Sequence, residues 1–202
     1  MQELKETDLD PDPIAQFGRW FEDARKNEPG LPEAMTVATA DLEGIVSARM
    51  SLLKGFDRRG MVFYTNYQSR KGEQIHDNPR IALCFYWAVQ ERQVRVEGVA
   101  VKTIEEESDA YFASRPRGSQ IGAWASHQSR VLMCGRGDLD ARAAQLEATY
   151  RDKPVPRPPH WGGYRVIPTI IEFWQGRADR LHDRFVYRLR APNDWVIERL
   201  SP

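Results

Sequence analysis

The sequence predicts an α+β fold built mostly from antiparallel β-structure. Strand-like segments follow one another with short turns, without the regular helical crossovers of a parallel sheet. Within them polar and apolar residues alternate. The clearest case is Val94, Val96 and Gly98 against Gln93, Arg95 and Glu97, which buries one face of that strand. Helical periodicity is confined to a few segments, which places helices beside a sheet rather than between its strands.

The elements follow in order. Residues 1–12 form an acidic, polar lead-in expected to be flexible, and 13–202 a single domain. Asp12-Pro13 starts a helix, because Asp caps and Pro is tolerated at the first helical position. Ile14, Phe17, Trp20, Phe21 and Ala24 continue it at helical spacing, and Pro29-Gly30 ends it. Met35–Ala40 and Ile45–Leu53 read as strands joined by a turn at Asp41-Leu42-Glu43-Gly44. Gly60 precedes a third strand, Met61–Asn66. Ser69 caps a short helix that stops before Asn78-Pro79. Arg80–Trp87 and Arg92–Lys102 are two further strands. Thr103-Ile104-Glu105-Glu106 has the capping-box pattern and opens a helix through about Ala113. Ser114–Gly137 is polar and rich in Gly, Ser and Arg, with a short helix at Ile121–Ser126. Leu139, Ala143, Leu146 and Tyr150 mark another helix, and the four prolines of Lys153–Pro159 make a rigid connector. Tyr164–Trp174, Arg180–Arg190 and Trp195–Leu200 bring the total to about eight strands.

The chain has 202 residues, with 29 Lys+Arg against 29 Asp+Glu. Zero net charge excludes a broadly basic nucleic-acid coat and an acidic disordered tail. No apolar run approaches the roughly 18 residues that span a bilayer, so no membrane association is expected. The polar start is neither a signal nor a transit peptide. Two cysteines, Cys84 and Cys134, without C-x-x-C spacing argue against a disulfide scaffold or a zinc site and place the chain in the reducing cytoplasm. Cys84, in an apolar strand, reads as core. His76, His127, His160 and His182 lack metal-ligand spacing, so no metal is expected. Phosphate-loop, dinucleotide and nucleophile-elbow motifs are absent from the sequence.

Neutrality hides local asymmetry. No acid lies between Glu43 and Asp57, where Arg49 and Lys54 stand. None lies from Ala110 to Gly137, where Arg115, Arg117, Arg130 and Arg136 are interleaved with Tyr111, Ser119, Ser126, Gln128 and Ser129. Cations mixed with hydroxyls suit a phosphate monoester; an arginine-rich solvated loop is the alternative. Tyr64-Thr65-Asn66 followed by Ser69-Arg70-Lys71-Gly72 runs a strand into a helix start bearing two cations, either a phosphate site or a plain cap. As a strand, Arg180-Leu181-His182-Asp183-Arg184 would project Arg180, His182 and Arg184 to one face, a costly arrangement unless an anion or paired carboxylates sit there.

Taken together and in this order, these stretches resemble the pyridoxine/pyridoxamine 5′-phosphate oxidases. The resemblance runs from about Pro11 to Pro202. It is carried by Ser47–Gly55, Val62–Asn66, Ser69–Lys71, Glu91–Val94, Tyr111–Pro116, Ser119–Trp124 and Ser126–Ser129. Trp161-Gly162-Gly163, Glu172–Gly176, Arg180–Arg184 and Glu198–Pro202 complete it, and Phe173–Gly176 with Arg180–Arg184 is the most specific part.

The resemblance implies a split β-barrel with flanking helices, a homodimer, and FMN at the dimer interface. FMN contacts then fall on Arg49, Met50, Ser51, Leu52, Leu53, Lys54, Tyr64, Thr65, Arg70, Lys71, Gln93, Gln128, Ser129, Trp174 and Arg184. Lys54, Tyr111, Arg115 and Ser119 fall on the substrate-phosphate cradle. Arg180, Leu181 and His182 also contact substrate; Arg180 and His182 are the implied catalytic pair, His182 at most an auxiliary proton acceptor. The implied reaction oxidises the C4′ alcohol or amine of a vitamin B6 phosphate to the aldehyde, with O2 as electron acceptor and H2O2 released. A flavin reductase, an oxidase of another metabolite such as a phenazine precursor, and a non-catalytic flavin or pyridoxal-phosphate binder are the alternatives. Three features depart from the family pattern: a short N-terminal arm, Arg130–Cys134 after Ser129, and Ser51 at a commonly aliphatic position.

Overall fold

The computed structural model describes residues 3–133 and 135–202. Cys134 lies outside them. Helix α1 (Pro13–Asn27) starts where the Asp12 side chain accepts the Ile14 amide. Replacing Asp12 by alanine removes that bond and lowers unfolding stability by about 1 kcal/mol, read as a lower urea midpoint at unchanged slope. Strands β1 (Ala34–Ala40) and β2 (Val46–Leu52) form the expected hairpin, with Gly44 at φ +82°. A short strand β3 (Gly55–Asp57) pairs with β4 (Gly60–Asn66). Three residues are too few to show a period, so the sequence reading passed over β3.

Helix α2 (Arg70–Asp77) starts at Ser69, whose hydroxyl accepts the Gly72 amide. Strands β5 (Arg80–Trp87) and β6 (Arg92–Lys102) follow. Helix α3 (Glu105–Ser114) lacks the expected capping box: Ile104 is its N-cap, and the Thr103 hydroxyl instead meets Ser108 Oγ at 2.8 Å. Helix α4 (Arg117–Ala125) is longer than expected, and α5 (Arg136–Thr149) follows. Strands β7 (Trp161–Gln175), β8 (Asp183–Ala191) and β9 (Asp194–Leu200) close the chain.

The nine strands form one antiparallel sheet in the order β2-β1-β5-β6-β7-β4-β3, with β8 on β7 and β9 on β8. Its inner face and α1 enclose the main core. Phe17 of α1, fully buried, meets the rings of Phe56, Phe85 and Trp87 at 5.0–6.0 Å. A second apolar cluster, Phe112, Ile121, Val155 and Trp161, holds α3, α4 and the prolyl connector against the start of β7. The outer face of the sheet is different: Cys84, Gln93, Arg95, Glu172 and Trp174 lie there, so Cys84 is half-buried rather than core.

Two further expectations change. Arg180 is not in a strand: Asp179 and Arg180 take left-handed conformations (φ +56° and +61°), and β8 begins only at Asp183. Leu181 is exposed, so no buried apolar row holds this segment extended. The lead-in, expected to be flexible, packs over its described part: Leu4 is buried, and its amide donates to Asp183 Oδ2 at 3.1 Å.

Candidate active site

The largest concentration of expected site residues lines a cavity of about 750 Å³. β2 and the residues after it contribute Arg49, Met50, Ser51, Leu52 and Lys54; β4 contributes Tyr64 and Thr65; the first turn of α2 contributes Lys71. Tyr111, Arg115 and Ser119 enter from α3, α4 and the bend between them, and Gln128 from the loop beyond.

One end of the cavity is strongly cationic. Lys71 is buried, and its Nζ donates to Thr65 Oγ1 at 2.8 Å and Ser69 Oγ at 3.4 Å. Burial, with nearby Arg49, pulls the Lys71 amine down to about 8. Arg49 donates to Val37 O at 3.1 Å and Thr39 Oγ1 at 2.7 Å, and burial and Arg70 hold its guanidinium below the ordinary value. Among the described residues no carboxylate pairs with Arg49, Arg70 or Lys71. Desolvated cations beside neutral oxygens only are destabilised until an anion joins them.

The other wall is aromatic. Tyr64 stacks on Tyr111 at 4.0 Å and on Trp161 at 5.5 Å, with the rings nearly parallel. The Arg115 guanidinium lies 4.6 Å from the Trp161 ring centre, and its buried Nη1 has no hydrogen-bond partner. Burial pulls Arg115 below its ordinary value. This is a second, separate demand for an anion.

The remaining expected residues do not line this cavity. Leu53 points into the core, and Arg70 and Ser129 are exposed beside the site. Gln93, Trp174 and Arg184 form a row across β6, β7 and β8, through the register pairs Gln93–Trp174 and Trp174–Arg184. Arg184 donates to Glu172 Oε1 at 2.8 Å and to Ser201 O at 2.9 Å. His182 packs on Trp174 with ring centres 4.6 Å apart. Its Nδ1 accepts the Arg177 amide at 3.1 Å, so the neutral ring carries its proton on Nε2 and presents a donor. Arg180 and Leu181 are exposed next to it. Gln93, Trp174, Arg184 and the Arg180–His182 segment are therefore expected site residues that do not line the cavity.

Asn66, Ser126 and Trp161, which stand in the candidate clusters and matching stretches but carry no expected ligand contact, also line the cavity. Asn66 Nδ2 reaches the Ser126 carbonyl at 3.4 Å. The signal for Trp161 lay in the two glycines after it. A Cβ at Gly162 would meet the Tyr67 hydroxyl at 2.2 Å, and one at Gly163 would meet Tyr64 at 2.8 Å. Only glycine lets β7 come close enough for Trp161 to join the stack.

Residues 21–150 match the family model described as pyridoxamine 5′-phosphate oxidase. Residues 161–202 match the pyridoxine 5′-phosphate oxidase C-terminal dimerisation region. The pyridoxine/pyridoxamine 5′-phosphate oxidase of Rubrobacter xylanophilus is 60% identical over 98% of this chain and 91% of that protein. That of Acaryochloris marina is 56% identical over 100% and 91%. Among solved structures, PhzG from Burkholderia lata 383, in complex with tetrahydrophenazine-1-carboxylic acid, superposes with TM-score 0.92 at 34% identity, covering 100% of this chain and 98% of that one. The sheet is thus the split barrel of these proteins.

Proposed function

The chain belongs to the pyridoxine/pyridoxamine 5′-phosphate oxidase family, and on that premise we propose that it oxidises pyridoxine or pyridoxamine 5′-phosphate to pyridoxal 5′-phosphate with FMN as cofactor. The observation that carries the reading is the pair of unmet anion sites in one cavity: Arg49 with Lys71, and Arg115 with its unpartnered Nη1. Two phosphorylated ligands, cofactor and substrate, meet both demands. The donor set fits FMN: cations and hydroxyls for the ribityl phosphate, Gln128 and Gln93 for the polar flavin edge, Trp174 as a flat apolar surface. When bound, FMN supplies the redox chemistry, taking two electrons from the substrate and passing them to O2.

The protein's part is orientation. Lys54, Tyr111, Arg115 and Ser119 hold the substrate phosphate. Arg180 and His182 hold the ring, His182 donating from Nε2. Fixing the reacting carbon against the flavin supplies much of the rate. We place FMN between two copies: the cavity of one protomer meets the Gln93–Trp174–Arg184 row of its partner, within a homodimer. Supporting this, Trp174 and Arg184 of the row sit on β7 and β8, within the residues that match the dimerisation region. The chain then works in the cytoplasm, consistent with its cysteine usage; no described helix is long and apolar enough to cross a membrane.

Purified protein given pyridoxine 5′-phosphate, FMN and oxygen forms the aldehyde and peroxide in equal amounts. No turnover with FMN fully bound overturns the reading. Arg184→Ala weakens FMN binding about tenfold, measured by fluorescence titration. The loss is modest because Glu172 already neutralises this guanidinium. The likeness to PhzG keeps a phenazine precursor as a second substrate class, and a substrate without phosphate leaves Arg115 unmet.

A further inference from the structure

Asp183 opens β8 directly after His182, and its carboxylate is almost fully buried. Donors from three separate parts of the chain converge on it. Arg199 of β9 donates from Nη1 to Oδ1 at 2.9 Å. The Leu4 amide donates to Oδ2 at 3.1 Å. Arg177 Nη1 reaches Oδ2 at 3.4 Å. Arg199 in turn grips Glu6 through Nε at 2.7 Å and Nη2 at 3.1 Å, and lies over the Phe185 ring at 4.3 Å. Residues 4–6 are thereby tied to the same carboxylate.

The link to His182 runs through Arg177. Its side chain meets Asp183, while its backbone amide donates to His182 Nδ1. Between these fixed points lie Asp179 and Arg180, two consecutive non-glycine residues in left-handed conformations. Such a pair persists only where the surroundings over-determine it. The Leu181 amide donates to the Ala178 carbonyl at 3.1 Å across the two residues, and the Asp183 hub holds the segment's flanks through Arg177 and Arg199.

We propose that Asp183 is a positioning residue for the Arg180–His182 loop, holding Arg177 so that its amide fixes His182 with the proton on Nε2. Arg199, Glu6 and the Leu4 amide complete the clamp, which makes the N-terminal segment part of the site's support. The proposal rests on the reading of Arg180 and His182 as the substrate-facing pair.

The test uses FMN-loaded protein with 15N-labelled histidine. Wild type shows His182 as a single Nε2–H tautomer, and Asp183→Asn shows a tautomer mixture. In the same preparation kcat for pyridoxine 5′-phosphate falls about tenfold while FMN content stays full. Arg199→Lys keeps most of the activity and Arg199→Met does not. Should Asp183→Asn not fold, Arg177→Met removes the same link from a half-buried side chain and shifts both readouts in the same direction. An unchanged tautomer, wild-type kcat, or a loss confined to FMN content overturns the proposal. A wild-type holoenzyme without oxidase activity overturns the functional reading instead, while the tautomer comparison still decides the role of Asp183.

Discussion

Replacing Arg115 by alanine raises KM for pyridoxine 5′-phosphate about ten- to a hundredfold and leaves kcat within a few-fold of wild type. The guanidinium is stacked on Trp161 and half-buried, and its Nη1 has no hydrogen-bond partner among the described residues. A phosphate oxygen arriving there gains a charge-assisted bond already aimed at it, and the cation recovers the solvation it gave up on folding. The contact is remote from C4′, so ground state and transition state share it, and its loss appears in KM. Steady-state kinetics of Arg115→Ala at saturating FMN measure the effect. Arg115→Lys recovers little, because a single ammonium cannot keep both the ring stacking and the forked geometry. Unchanged KM in Arg115→Ala places the substrate phosphate elsewhere.

Lys71→Met has two opposite effects. FMN affinity falls roughly ten- to a hundredfold, because a buried cation facing the cofactor phosphate is gone. The FMN-free protein becomes more stable, on the order of 1–3 kcal/mol at pH 7, because the desolvated charge is no longer carried into the fold. The pH dependence follows from the lowered value. Lys71 titrates at about 8 in the fold and at its ordinary value of 10.5 when unfolded. Between those values the unfolded chain binds more protons at this group, so the contribution of Lys71 to FMN-free stability rises with pH across that window. The stability difference between wild type and Lys71→Met therefore closes as pH rises from 8 to 10.5. FMN affinity moves the other way and weakens above pH 8, because the anion favours the protonated amine. Denaturant titrations and flavin fluorescence at pH 7 and 10 measure both, and the difference between wild type and variant isolates this one group from the buried tyrosines and Cys84, which both proteins share.

Much of this was legible in the sequence, for reasons that can be named. Asp12-Pro13 and Ser69 are caps with one local solution, and both helices start where those residues stand. Within the acid-free runs, Arg49 and Arg115 have no carboxylate partner among the described residues, whereas Arg117, Arg130 and Arg136 pair with Glu147, Glu73 and Asp140. Local pattern failed where distant contacts decide. Thr103 had a capping-box sequence, but Ser108 and the approach of β7 claim its hydroxyl. Gly98 looked like one step in an alternating strand. It is a bulge, and a Cβ there would meet the Ile167 carbonyl at 2.1 Å. The segment before Asp183 alternates like a strand but turns through two left-handed residues held by Arg177, Arg199 and Leu4. Leu4 is 179 residues away from Asp183 in sequence, beyond the reach of any window. That the Gln93–Trp174–Arg184 row does not line the cavity fits the interface site that the resemblance implied, but spacing along a chain could not say which residues fall on which side.

That separation is what the account rests on, and subunit mixing tests it most directly. Assayed with substrate near the wild-type KM, Arg115→Ala silences the cavity side of each site through its raised KM, and the double variant Arg180→Ala with His182→Ala disables the opposing side. Each homodimer alone turns over poorly. After subunit exchange, every mixed dimer carries one site built from two intact halves. Random mixing then restores roughly a quarter of wild-type activity, with wild-type KM for pyridoxine 5′-phosphate. Exchange verified by mass spectrometry with no gain over the parent variants contradicts a site shared between two copies.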